Sequence, residues 1–268
     1  MSSLLLAAQS GWGKSFHAQA WMETNVADAD TYAALTVLDY CGEYRGLVKA
    51  GYAAHWIVGP RELHFSVDDW RAILDENPML VLERHHQVTT DEWRQVCTKI
   101  AAASRTLRRD ELVVVDEAHF VAPQQVKLPE PIKEIATTGR GEGTSSMWVT
   151  QRLAEIDLTV STQCQERILG GFRGGDLGAV DVEYPDNLHN PAANVPASTL
   201  TDELLPSDRE TPTTLQKHTD EDGHTIGSEW IYSNNDGEIR RINTQHVNME
   251  STHYGSQGNH LQMPEYSA

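Results

Sequence analysis

Hydrophobic positions follow two alternating rhythms over the first two thirds of the chain. Short apolar runs occur at 4–8, 33–39 (AALTVLD), 55–59, 79–83, 112–116 and 145–151. Runs of this length, bounded by turn residues, predict buried strands. Between them, 68–76 and 90–107 carry apolar residues at helical spacing. In the second, Trp93, Val96, Cys97 and Ile100 fall on one face, and Thr89-Thr90-Asp91-Glu92 offers N-cap candidates with early acidic residues. A further helix-like pattern begins near Lys14. Strands alternating with helices predict an α/β fold, a mostly parallel sheet flanked by helices.

Past Val180 the rhythm stops. Pro185, Pro191, Pro196, Pro206 and Pro212 break any long element, and Asp and Glu greatly outnumber Lys and Arg. The segment GSEWIYSNNDGEIRRINTQ, 227–245, sets two alternating runs around Asn-Asp-Gly and predicts a β-hairpin near 228–245. The pattern thus divides the chain into a core, 1–178, and an acidic irregular extension, 179–268, loosely packed and partly disordered apart from the hairpin. His218, His224, His246, His253 and His260 lack metal-ligand spacing and read as surface residues.

Charge adds a constraint that the pattern does not hold. The formal net charge is −18, from 39 acidic against 21 basic residues, and only six of the basic residues are lysines. Such surfaces stay hydrated in molar salt, where self-repulsion is screened within about 3 Å, and predict a halophilic protein. Cys41, Cys97 and Cys164 have no paired spacing, which argues against a disulfide framework or zinc site and for a reducing, cytoplasmic setting. No run of about 18 apolar residues predicts a membrane span, and 4–6 is too short for a secretory signal.

The chemistry concentrates in three stretches. Ala8-Gln9-Ser10-Gly11-Trp12-Gly13-Lys14-Ser15 fits the phosphate-binding loop with Ala8 for its first glycine. Ser10 to Ser15 would cradle ATP: Gly11 and Gly13 let the backbone N–H groups face the phosphates, Lys14 supplies charge, and Ser15 can ligate Mg²⁺. The helix beginning there adds its N-terminal dipole. In LVVVDEAHF, 112–120, four apolar residues deliver Asp116 and Glu117 to the C-terminal edge of a buried strand, where ligands of open α/β sheets bind. Asp116 suits the Mg²⁺ shell, and Glu117 suits a base that polarises the attacking water. A carboxylate next to the metal-binding Asp favours RecA-like hydrolases over P-loop phosphotransferases. A nucleotide-gated assembly or scaffold protein stays open as an alternative. In TTGRGEGTSSMWVTQR, 137–152, three glycines flank Arg140 and a strand ends at Thr150-Gln151. Gln151 is positioned to sense the γ-phosphate, and Arg140 to act in trans on a neighbouring subunit's nucleotide.

Together these residues resemble the HerA/FtsK superfamily of DNA-pumping ATPases. The specific matches are VLDYCGEYRGL, 37–47, similar to that family's D-x-x-G-E-Y segment, and Gly139-Arg140 with Thr150-Gln151, similar to its G-R … T-Q region. The likeness spans 4–172. It implies a RecA-like P-loop NTPase of the ASCE type, ATP and Mg²⁺ as cofactors, and Glu43 near the nucleotide. It further implies a homo-hexamer with duplex DNA through the pore. Trp12 departs from the pattern, standing where a small residue is usual. The small size resembles the minimal genome-packaging ATPases of internal-membrane viruses, and the acidity suits a virus of halophilic archaea. That implies a place in the host cytoplasm or at a virion or procapsid vertex, with a capsid or membrane vertex protein as docking partner. An acidic motor must gather its basic residues on the pore lining; Arg105, Arg108 and Arg109, and Arg84-His85-His86, are the candidates.

Overall fold

A computed structural model describes residues 3–27, 31–207, 212–254 and Tyr266. Seven strands run parallel: β1 (Ser3–Ala7), β2 (Ala34–Asp39), β3 (Ala54–Val58), β4 (Met79–Arg84), β5 (Glu111–Val115), β6 (Thr144–Thr150) and β7 (Glu166–Leu169). Their order across the sheet is β7-β1-β6-β5-β2-β4-β3. The six strands expected from the apolar runs stand within one residue of their predicted bounds. The seventh, β7, has four residues, two of them charged, and gives no periodic signal.

Alternate residues of each strand serve opposite faces of the sheet. Leu5, Leu38, Leu82, Val113, Val115 and Trp148 pack on one side with Trp70 and Leu74 of α3 (Val67–Glu76) and Trp93, Val96 and Ile100 of α4 (Thr90–Leu107). Leu4, Leu6, Leu35, Val37, Val114 and Val149 pack on the other with Ala18 and Met22 of α1 (Lys14–Ala27) and Leu47 of α2 (Arg45–Lys49). Both faces are therefore dry, which is why the strands read as continuous apolar runs rather than alternating ones. Helices α3 and α4 each open with a capping box, Ser66 with Asp69 and Thr89 with Glu92. The short α5 (Ala118–Val121), α6 (Glu130–Thr137) and α7 (Leu158–Gln163) complete the helical layers. Among the described residues no helix is long and apolar enough to cross a membrane.

The C-terminal third differs from the loose extension that its prolines and charge predict. The hairpin forms, as β9 (Thr225–Asn234) and β10 (Ile239–Asn243), with Gly237 in the turn at φ 85°. It does not stand apart: β9 pairs antiparallel with β7 and lengthens the main sheet. A short strand, β8 (Lys217–Thr219), pairs with the start of β9. Tyr184, Leu188, Val195, Leu204, Leu215, Trp230 and Ile231 are buried on the α1 face. Prolines removed long elements, but the apolar residues between them still had a sheet face to cover. His253 corrects the surface reading of the histidines: it is buried, its ring 6.0 Å edge-on to Phe16 and its Nδ1 2.9 Å from Gln19 Oε1. His260 lies outside the described residues.

Candidate functional site

Because all seven strands are parallel, one edge of the sheet collects their C-terminal ends, and the predicted chemistry converges there. The loop after β1 runs from Ala8 to Gly13, and α1 starts at Lys14. Gly11 and Gly13 sit at φ 70° and 86°, conformations that a side chain would strain. Ala8 is fully buried and is accommodated because Gly170 faces it; a Cβ on Gly170 would stand 2.8 Å from the Ala8 methyl.

Asp116 and Glu117 follow β5, which is separated from β1 by β6 alone. The Asp116 N–H donates to Leu38 O at 3.1 Å, and its Oδ1 accepts from the Tyr44 hydroxyl at 3.3 Å. Asp116 Oδ2 and Glu117 Oε2 are buried without a hydrogen-bond partner. Glu117 occupies the left-handed region, φ 44° and ψ 49°, which costs energy in a residue with a side chain and aims the carboxylate away from the strand. Lys14 is the nearby cation. Burial pulls its pKa down, while Glu117, Asp116 and Glu43 push it up.

The segment 39–45 is built around Asp39, which is fully buried. Its carboxylate accepts from four successive backbone N–H groups: Cys41 (3.2 Å), Gly42 (2.7 Å), Glu43 (3.1 Å) and Tyr44 (3.0 Å). Gly42, at φ 78°, permits that wrap. Glu83 at the end of β4 braces it from behind, accepting from Arg45 Nε at 2.6 Å and contacting His55 Nε2 at 3.0 Å. Arg45 and His55 together hold the Glu83 carboxyl down at about 2 although burial opposes them. Asp39 thereby presents Glu43 to the site.

Electrostatically the site lacks positive charge. Burial and the neighbouring carboxylates push Asp39 up to about 6 and Glu43 up to about 7. Asp116 is raised well above the ordinary carboxylate range by burial and then by Asp39, Glu43 and Glu117, and Glu117 is raised by burial. Four carboxylates facing one lysine, with two oxygens unpartnered, make a hard-oxygen environment that fits Mg²⁺. Ser15 and Asp116 are the residues that would hold it.

Two residues of this site carried no assignment in the sequence. His119 lies with Nδ1 3.1 Å from Thr150 Oγ1 and 3.3 Å from Glu117 Oε2, and burial holds its pKa down at about 4. It is neutral and fixes the Thr150 end of β6 beside Glu117. Tyr44 reaches Asp116 from the 39–45 segment. The spacing D-E-A-H held the His119 signal. Gln151 is the first residue beyond β6, half-buried at the same edge. Arg140 lies in the turn Gly139–Glu142 that precedes β6, so its backbone is at the opposite edge. Seven residues of β6, about 20 Å at strand rise, separate it from the loop of its own chain. The Arg140 side chain lies outside the described residues.

Trp12 is buried, in contrast to its unusual place in the motif. The ring covers Gly170 and Gly171, where added Cβ atoms would stand 2.5 Å and 2.4 Å from it, and Nε1 donates to Glu229 O at 3.0 Å. Ser228 Oγ donates to Trp12 O at 2.6 Å, and Thr225 Oγ1 to Gly11 O at 3.1 Å. Strand β9 therefore grips the back of the phosphate loop.

Of the basic residues expected along a pore, several are occupied within the fold. Arg105 pairs with Glu142 at 2.6 Å and with Glu134. Arg109 donates to Leu74 O at 2.9 Å, and Arg84 stacks 4.0 Å from the Tyr40 ring centroid.

No protein-family model and no curated protein sequence matches the chain. Solved structures do. The chain is similar to the genome packaging NTPase B204 from Sulfolobus turreted icosahedral virus 2 in complex with ATP-gammaS, with TM-score 0.56 and 14% identity over 90% of this chain and 95% of that one. It is similar to B204, the DNA-packaging ATPase from Sulfolobus Turreted Icosahedral Virus, at TM-score 0.54 and 11% identity, covering 90% and 96%. VirB4 of Thermoanaerobacter pseudethanolicus gives TM-score 0.57 and 10% identity, covering 90% and 88%. The fold is thus the mixed α/β, mostly parallel sheet of the RecA-like P-loop ATPases.

Proposed function

We propose that the chain is an ATP-hydrolysing motor that moves double-stranded DNA, packaging a viral genome into a preformed capsid. The observation that carries the hydrolytic part is the convergence of Lys14 on Asp116 and Glu117 across β6, with Glu117 Oε2 buried, without a hydrogen bond, and 3.3 Å from His119 Nδ1. Glu117 accepts a proton from a water as the water oxygen bonds to the γ-phosphorus. The bond from that phosphorus to the β–γ bridging oxygen breaks, and ADP leaves with its electron pair. Lys14 neutralises the phosphate oxygens, and Gln151 orients the γ-phosphate side of the site. Bound Mg²⁺ supplies further charge stabilisation.

The DNA part is supported by the D-x-x-G-E-Y segment, here built on Asp39, and by the shared fold with the packaging ATPases. The placement of Arg140 at the edge away from its own loop supports a ring, hexameric by resemblance, in which each subunit's Arg140 serves a neighbour. The acidic, lysine-poor composition supports operation in molar salt, where counterion release contributes little to DNA binding and encirclement provides the grip.

The test is steady-state ATPase activity in molar KCl, with and without linear duplex DNA. Turnover rises with DNA; Glu117→Gln abolishes it and still binds ATP. Turnover indifferent to DNA would remove the motor, and turnover surviving Glu117→Gln would remove Glu117 as the base.

A further inference from the structure

The grip of β9 on the phosphate loop also delivers a cation to it. Lys217 of β8 stands in register with Ser228 of β9, the residue whose Oγ donates to Trp12 O. That register holds Lys217 above the loop apex. A Cβ built on Gly11 would lie 3.9 Å from Lys217 Nζ and, its own chain neighbours aside, would meet no other described atom within 4 Å. The apex is otherwise open, and the lysine ammonium borders the opening.

Lys217 is exposed, and its side chain has no hydrogen bond or ion pair among the described residues. The absence is informative because acidic groups are close in sequence. Asp220 and Asp222 follow in the β8–β9 turn, yet Asp220 is turned inward to accept from His224 N at 2.7 Å and Asp222 N at 3.1 Å. In a chain with 39 acidic residues and six lysines, one lysine side chain is held free over a phosphate loop by β8, which pairs with the strand, β9, that bonds the loop backbone.

We propose that Lys217 is a second cation for the nucleotide, meeting the phosphate chain from the hairpin side of the loop while Lys14 meets it from the first turn of α1. This rests on the reading of the loop as an ATP site. A polyphosphate is the ligand class that matches the position: it brings negative charge to the loop N–H groups beside Gly11, within reach of a flexible ammonium, and it partly offsets the shortage of positive charge left by the four carboxylates.

The experiment is equilibrium binding of MgATP by calorimetry to wild type, Lys217→Met, Lys217→Arg and Lys14→Ala, in about 0.2 M and about 2 M KCl. Lys217→Met weakens ATP binding about threefold to tenfold at the lower salt, as one partly screened charge-assisted contact should. Lys217→Arg restores most of the affinity, and the difference shrinks at the higher salt. Because the Lys217 side chain bonds nothing among the described residues, circular dichroism of Lys217→Met matches wild type. Unchanged ATP affinity in Lys217→Met, in a chain whose binding is lost in Lys14→Ala, overturns the role of Lys217 alone. Weakened binding of linear duplex DNA with unchanged ATP affinity overturns it too and assigns the lysine to the DNA path. A wild-type chain that binds no ATP overturns the site reading on which the proposal rests.

Discussion

Gly171→Ala tests the clamp on the phosphate loop. The added methyl would stand 2.4 Å from the Trp12 ring, and all three of its nearest neighbours are Trp12 carbons. The indole cannot yield easily, since Nε1 is tied to Glu229 O and the ring is 2% exposed. Overpacking of this kind costs about 1–3 kcal/mol. Trp12→Ala alone removes a buried indole and one hydrogen bond and should cost about 3–5 kcal/mol. In the double variant the new methyl enters the space that the indole vacated, so Gly171→Ala should then cost nearly nothing. The expected coupling is therefore about 1–3 kcal/mol, read from urea unfolding followed by far-ultraviolet circular dichroism. Additivity within about 0.5 kcal/mol would mean that Gly171 and Trp12 do not press on one another, and the clamp would be refuted. ATP affinity provides a second reading: Gly171→Ala should weaken it, because displacing Trp12 disturbs the carbonyl that Ser228 holds.

Two further outcomes follow from buried polar groups. Asp39→Ala leaves four N–H groups of the 41–44 turn without their acceptor and should cost about 2–4 kcal/mol of stability, seen as a lower thermal midpoint. His189 contacts Gly170 O through Nδ1 at 2.7 Å and Tyr184 Oη through Nε2 at 3.0 Å, and burial holds its pKa down at about 4. A histidine kept neutral in the fold contributes stability that is complete above its ordinary value of about 6.5. That contribution is lost as pH falls toward 4, because the unfolded chain takes up the proton first. The stability difference between wild type and His189→Gln should therefore shrink by up to about 3 kcal/mol over that window in urea titrations, and a constant difference would refute it.

Much of the sheet was legible because its strands are buried on both faces, so 112–115 and 79–82 stand out as unbroken apolar runs. The helix 90–107 was legible to the residue, its start written in Thr89 and Glu92 and its buried face in Trp93, Val96 and Ile100. The loop and the Asp116-Glu117 pair were legible because backbone geometry and metal chemistry restrict the residues that can serve there. Other features depend on contacts that local pattern does not encode. Strand β7 is short and charged, and only its place beside β1 makes it a strand. Trp12 has no local partner; its pocket comes from Gly170 and Gly171, and its hydrogen bond from Glu229. Lys217 is one surface lysine among six until the register of β8 is known.

The clamp also sets an order of assembly. Trp12 and Gly11 wait for residues 217, 216 and 214 positions later in the chain, and Gln19 on α1 for Ser251, 232 positions later. Strands β2 to β5 can pair as they emerge, but β1 is flanked by β6 and β7 and has no partner until β6 exists, its other edge staying open until β7 does. At about 5–20 residues per second, the stretch from Trp12 to Glu229 takes on the order of 10–40 s to synthesise. Contacts of such separation also slow folding from the unfolded state, since the intervening chain must be closed before they reward it. The phosphate loop is made more than two hundred residues before the strand that completes it.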